Sequence, residues 1–191
     1  MVHSISYAKQ HGFIDAVYVT TDDKEIKDIA LQHGALVIDR PSHLSGDCEP
    51  TVTALKHVLE SIDDDVENVV LLQPTNPLRP KHLLTEAFKL FNENKYDSLF
   101  TVTRNHQKFG TIEKDVFKPY NYKIGQRSQD LIPLYFENGL LYITKAKHIL
   151  NNKIITKNAY PLVVNHPFSS IDIDTQEDFD LAEFMLNKYK K

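Results

Sequence analysis

Apolar residues along this chain recur with two different periods, and the changes from one to the other mark its elements. Residues 16–21 (AVYVTT) form a β-branched run bounded by Asp15 and Asp22, which predicts a strand. Ile26, Ile29 and Ala30 then recur at helical spacing until Gly34 stops them, with Asp22 and Glu25 at the spacing of a capping box. Residues 35–38 read as the next strand. Pro50 opens a helix to Ile62 that carries Val52, Leu55, Val58, Leu59 and Ile62 on one face. Asp63, Asp64, Asp65 and Glu67 read as a solvated turn, and residues 68–72 (NVVLL) as an apolar run of the kind buried on both faces of a parallel sheet. Leu83, Leu84, Ala87, Phe88 and Phe91 restore the helical period over residues 80–91, and residues 98–103 (SLFTVT) predict a strand.

Residues 104–138 show no regular period, and a stretch that long is expected to be an arm or a lid. Strands are expected at residues 140–144 and 160–164. A closing helix follows, with Thr175 and Asp178 at capping-box spacing and Phe179, Ala182, Met185, Leu186 and Tyr189 facing inward. This alternation predicts one domain over residues 1–191, an α/β fold of three layers around a mainly parallel sheet.

Composition narrows the chemistry. The balance of 22 Lys+Arg against 26 Asp+Glu gives a net charge of −4, which disfavours nonspecific binding of nucleic acid. Hydrophobic residues make up 41%, enough for one sizeable core, and the longest apolar runs fall far below the roughly 20 residues that span a bilayer. Cys48 has no cysteine to pair with and the first ten residues are polar throughout, so a cytoplasmic location is expected. The six glycines are isolated, which excludes a dinucleotide-binding GxGxxG turn and a P-loop; no zinc-ligand spacing and no GxSxG elbow occur either.

Two segments carry candidate chemistry. In residues 170–175 (SIDIDT), an extended backbone sends Asp172 and Asp174 to the same side, as a divalent-cation site requires; alternatively Asp172 is solvated and Asp174 caps the helix. In residues 71–80 (LLQPTNPLRP), Gln73 stands at the carboxyl end of a strand, where open α/β sheets bind ligands. Its prolines stiffen a loop that either aims Gln73 and Arg79 at a ligand or merely turns the chain with a surface arginine. Arg127 suits a carboxylate, bidentately. A glycosyltransferase DxD lies mid-chain after a strand and a dehalogenase-type phosphatase needs an early DxDxT, so neither pattern fits SIDIDT.

Taken in order, TTDD (20–23), SGDCEPT (45–51), LLQPTNPLR (71–79), RSQDLIPLYFENGLLYI (127–143) and SIDIDTQEDF (170–179) closely resemble the acylneuraminate cytidylyltransferase family, the CMP-nonulosonate synthetases. The resemblance implies a Rossmann-like nucleotidyltransferase that transfers CMP from CTP to a nonulosonic acid, releases pyrophosphate and works as a homodimer. By position, Asp172 and Asp174 match the family's catalytic magnesium aspartates and Thr51 a hydroxyl residue at the nucleotide. Gln73, Arg127 and Tyr142, with Asn138 beside them, match residues of the sugar site, Arg127 facing the substrate carboxylate. Residues 104–138 match the family's dimerisation arm, through which each site borrows from the neighbouring subunit. The family's first strand and phosphate-holding loop, approximately ARGGSKGIPxKN, are missing here, where Met1 stands at the start of the following helix. A noncatalytic truncated fragment or dimer-forming subunit is therefore the alternative to an enzyme. Two aromatics near the sugar in sialic-acid enzymes fall at residues 154–156, where this chain has Ile154, Ile155 and Thr156, which makes a legionaminic- or pseudaminic-type sugar plausible.

Overall fold

Parallel pairing of β1 (Tyr18–Thr21) with β2 (Leu36–Asp39) opens the fold in the computed structural model, which describes residues 1–46 and 48–189. Asp47 of the SGDCEPT motif lies outside the described residues. Two helices, α1 (Val2–Lys9) and α2 (Lys24–Gln32), close over this pair, burying Ile5, Ala30 and Ala35 against Val17, Val19 and Val37. The cap of α2 lies one residue later than the spacing suggests. Asp23 accepts from the Ile26 amide at 2.8 Å, while Asp22 turns to Arg40, 3.8 Å away.

The larger sheet has the spatial order β3 (Asn68–Leu71), β7 (Leu134–Lys145), β4 (Ser98–Asn105), β8 (Ala159–Val163). β4 and β8 are parallel, and β7 is antiparallel to both β3 and β4, so three of the four strands share one direction. The expected α/β class with a mainly parallel sheet is therefore observed. The exception is local: β3, expected between parallel neighbours, has β7 as its antiparallel partner and is only half-buried. Among the described residues no ladder joins β1 to β3, so β1 and β2 form a sheet of their own.

The core lies between this sheet and α4 (Leu83–Glu93). Leu83, Leu84, Ala87 and Phe91 meet Leu99, Leu140, Leu141 and Ile143, the face the helical period foretells. Each leucine so buried stabilises the fold by about 1.5–3 kcal/mol. The remaining helices are α3 (Thr51–Ser61), α5 (Ala146–Leu150) and α6 (Gln176–Tyr189). The capping box of α6 forms as expected: the Asp178 carboxylate accepts from the Thr175 amide at 2.9 Å, and Thr175 Oγ1 accepts from the Asp178 amide at 3.3 Å. Ala182, Met185 and Leu186 pack against Leu78 and Ile171, but Phe179 is 54% exposed and faces outward.

Residues 104–138 are more regular than their sequence. They contain a hairpin, β5 (Gly110–Glu113) with β6 (Val116–Pro119), and the start of β7. Its two turn residues, Lys114 and Asp115, have φ of 49° and 65°. Such turns favour Asn-Gly, and Lys-Asp gives no such signal. Ile112, Val116, Tyr120, Ile124 and Ile132 are all exposed along this segment.

Candidate active site

The site is built on a defect in the β4–β7 ladder. Pairing runs from Ser98 opposite Thr144 to Phe100 opposite Tyr142 and resumes at Val102 opposite Glu137, leaving residues 138–141 bulged against Thr101. Gly139, at φ +70°, supplies the left-handed turn the bulge needs. Thr101 Oγ1 donates to Asn138 Oδ1 at 2.6 Å, and the same oxygen accepts from the Leu140 amide at 3.1 Å. Asn138 Nδ2 donates to Thr103 Oγ1 at 2.9 Å. Residues five apart in a regular strand face opposite ways; the bulge instead brings Tyr142 to Glu137, its hydroxyl donating to Glu137 Oε2 at 3.3 Å.

Two carbonyls in the bulge find donors in the loop between β3 and α4. Asn76 Nδ2 donates to the Asn138 carbonyl at 3.1 Å and Arg79 Nε to the Leu140 carbonyl at 2.6 Å. Arg79 is thus neither a surface residue nor aimed at a ligand. Only 6% exposed, it also donates from Nη2 to the Gln73 carbonyl at 2.8 Å and from Nη1 to Ser4 Oγ at 3.0 Å. Burial lowers its pKa to about 10, which still leaves it charged at neutral pH.

The same loop holds the aspartate segment. Asn76 Nδ2 donates to the Ile171 carbonyl at 2.9 Å, and the Ile173 amide to the Thr75 carbonyl at 2.9 Å. Ile171 is buried and Ile173 half-buried, while Asp172 and Asp174 are exposed, as the alternation predicts. Neither carboxylate accepts a hydrogen bond or joins an ion pair among the described residues. The side-chain cap of α6 comes from Thr175 and Asp178, so Asp174 is free of that duty. Burial, then Glu137 and the Asp172 charge, push the Tyr142 phenol up to about 12. No group of three or more acids, histidines or cysteines gathers around a metal position among the described residues. Two free carboxylates suit magnesium, whose coordination is commonly completed by substrate phosphates and water.

The other expected residues divide. Gln73 stands just beyond β3 with its side chain over Gly139, where an added Cβ would come within 2.6 Å of its Oε1. Thr51 is the first residue of α3, exposed, in a first turn without acidic residues, a polarity that suits a phosphate. Asn138 lies inside the bulge. It is buried, and its amide holds Thr101, Thr103 and the Leu140 amide. Arg127 is exposed on the arm and paired with Asp130 at 2.8 and 2.9 Å; no hydrogen bond or ion pair links it within this chain to Gln73, Tyr142, Asp172 or Asp174. Two groups went unassigned in the sequence. Glu137 reaches Tyr142 only through the bulge. Arg40 follows β2 with a buried Nε that lacks a partner among the described residues, and its place just past a strand end is the signal that could have found it.

An α/β sheet with exposed carboxylates and a rigid polar loop gathered at one edge has the architecture in which open α/β domains bind their ligands. The chain belongs to the cytidylyltransferase family, whose model matches residues 1–190. It is 32% identical over 187 residues to the N-acylneuraminate cytidylyltransferase of Streptococcus agalactiae serotype III, a match covering 93% of this chain and 44% of that protein. The chain thus spans less than half the length of that relative. It is 30% identical over 195 residues to the CMP-N,N'-diacetyllegionaminic acid synthase of Legionella pneumophila, covering 97% of this chain and 84% of that one. Among solved structures, CMP:2-keto-3-deoxy-manno-octonic acid synthetase complexed with CTP shares the fold, with a TM-score of 0.67 at 12% identity over 97% of this chain and 86% of that chain. Among the described residues no helix is long and apolar enough to cross a membrane.

Proposed function

We propose that this domain transfers CMP from CTP to a nonulosonic acid of the sialic, legionaminic or pseudaminic type, releasing pyrophosphate. The observation that carries this reading is the meeting of three separated motifs. Asn76 joins the loop after β3 to the bulge of β7 and to the segment bearing Asp172 and Asp174. The family membership and the names of the relatives support the same reaction.

In that reaction the anomeric oxygen of the sugar bonds to the α-phosphorus, the bond from that phosphorus to the bridging oxygen breaks, and its electron pair leaves with pyrophosphate. The proton of the anomeric hydroxyl passes to solvent. Asp172 and Asp174 would hold magnesium, which when bound supplies positive charge to the triphosphate and the leaving group. Thr51 and the first amides of α3 face the nucleotide, and Arg40, just past β2, offers a cation for phosphate. The Tyr142 phenol, held near 12, keeps its proton at neutral pH and serves as a donor, not a base. Gln73 offers a donor and an acceptor to the sugar. Arg127 meets the sugar carboxylate in the site of a second copy, an arrangement that the exposed apolar residues of the arm support. The reading thus describes a single-domain homodimer of the cytoplasm.

The test is pyrophosphate release from CTP and magnesium with a panel of nonulosonic acids, beside magnesium-dependent CTP binding by calorimetry. Turnover of at least one acid supports the proposal, and CTP binding without any turnover supports a noncatalytic subunit.

A further inference from the structure

We propose that Arg79 is a positioning residue, whose guanidinium sets the shape of the site from behind by fixing the bulge of β7 to the loop that carries Gln73. Its three nitrogens reach three elements: the Leu140 carbonyl in β7, the Gln73 carbonyl at the end of β3, and Ser4 Oγ in α1. All three acceptors are neutral, and the Tyr7 ring, 5.9 Å from the guanidinium carbon, completes the enclosure. A buried charge without a carboxylate partner is a poor way to gain stability, since apolar replacements of buried charges are often neutral or better. What arginine alone provides is a rigid planar fork with donors in fixed directions, so one side chain can hold separate backbones in register.

The consequences for the site are geometric. The Leu140 carbonyl lies inside the bulge that turns Tyr142 toward Glu137, and the Gln73 carbonyl belongs to the residue whose side chain covers Gly139. Moving the fork therefore acts first on the sugar-facing groups; it reaches Asp172 and Asp174 only at second hand, through Asn76 and Thr75 of the same loop, and leaves Thr51 on α3 in place.

The test uses the whole 191-residue chain and Arg79→Lys, which keeps the charge and loses the fork. Hydrogen exchange followed by mass spectrometry is expected to quicken at least about tenfold in peptides spanning residues 70–78 and 134–142, the effect of weakening one buried charge-assisted bond. Exchange in β1 and β2 should stay unchanged. In turnover assays, KM for the sugar acid should rise about tenfold and KM for CTP by less, because Gln73 and the bulge of β7 are bonded to the fork directly, and Asp172 and Asp174 only through Asn76 and Thr75. Unchanged exchange in both peptides, or equal quickening in β1 and β2, would overturn the proposal, as would an equal rise in both KM values. If Arg79→Lys does not fold, the wild-type Nε–H proton decides by NMR: slow exchange supports the role and rapid exchange overturns it. Only the kinetic arm rests on the proposed cytidylyl transfer. A wild-type protein that turns over no sugar acid counts against that reaction, and the exchange experiment still decides the role of Arg79.

Discussion

Asn76 Nδ2 lies 2.9 Å from the carbonyl of Ile171, a hydrogen bond that fastens the loop after β3 to the root of the aspartate segment. The same nitrogen serves the Asn138 carbonyl, and the residue is only 1% exposed. Asn76→Ala leaves two carbonyls without this donor. At about 1–3 kcal/mol for each buried acceptor left unsatisfied, the variant should lose about 2–6 kcal/mol of stability. Urea unfolding measures this directly, and an unchanged midpoint at constant slope would contradict it.

Gly139 occupies a different point of the same junction. At φ +70° an alanine is strained, and its Cβ would run into Asn76 Oδ1 and stand 2.6 Å from Gln73 Oε1. Gly139→Ala is expected to destabilise by about 1–2 kcal/mol from the backbone alone, with a further loss if Asn76 is pushed from its carbonyls. A melting temperature equal to that of the parent would mean that the bulge tolerates a side chain.

Tyr142 makes a prediction about pH. Its phenol is raised from the ordinary 10.0 to about 12, chiefly by burial and then by Glu137. Folding therefore favours the protonated form. The stability this contributes is fully present below pH 10, the unfolded value, and is lost as pH rises through about 12. Tyr142→Phe has no proton to lose, so between those limits its stability should fall less steeply than that of the parent. Tyr7, also raised by burial, titrates in both proteins and cancels in the comparison. Urea midpoints that fall in parallel would show that Tyr142 is not held as described.

Much of this arrangement was legible in the sequence, and the gaps have physical causes. The helical period located α4 with its buried face, because Leu83, Leu84, Ala87 and Phe91 recur at the spacing that a helix on a sheet imposes. Alternation in IDID exposed Asp172 and Asp174 and buried Ile171, because that spacing is local. Reversal of β7 was not legible, since an apolar run records burial and not direction. The inward turn of Arg79 depends on carbonyls in β7 and a hydroxyl in α1, which no neighbouring residue announces. The bonds of the Asn138 amide to Thr101 and Thr103 were not legible either, because they cross a bulge that exists only in three dimensions.

The aspartate pair separates binding from folding. Asp172 and Asp174 are exposed and make no hydrogen bond or ion pair among the described residues, so replacing either should cost the fold little, within about 0.5 kcal/mol. Asp172→Asn and Asp174→Asn are nevertheless expected to abolish magnesium-dependent CTP binding in calorimetry, because a site with only two protein carboxylates loses half its charge with either one. Removing magnesium with a chelator should weaken CTP binding by the parent in the same way. Binding that survives both substitutions would place the cation elsewhere.

The arm makes the reverse prediction, in which assembly changes and the single chain does not. Ile112 is 76% and Ile124 83% exposed, so neither contributes much to the packing of one copy. Water contact at so many large apolar side chains in one segment is costly, and the proposed second copy would remove it through a symmetric surface. Ile112→Asp combined with Ile124→Asp should leave the circular dichroism spectrum unchanged and shift the sedimenting species from dimer to monomer. If Arg127 serves the neighbouring site, the same variant should also raise KM for the sugar acid while magnesium-dependent CTP binding persists. A parent that sediments as a monomer, or a variant that stays dimeric with unchanged KM, would remove the arm from the site and leave Arg127 to its pairing with Asp130.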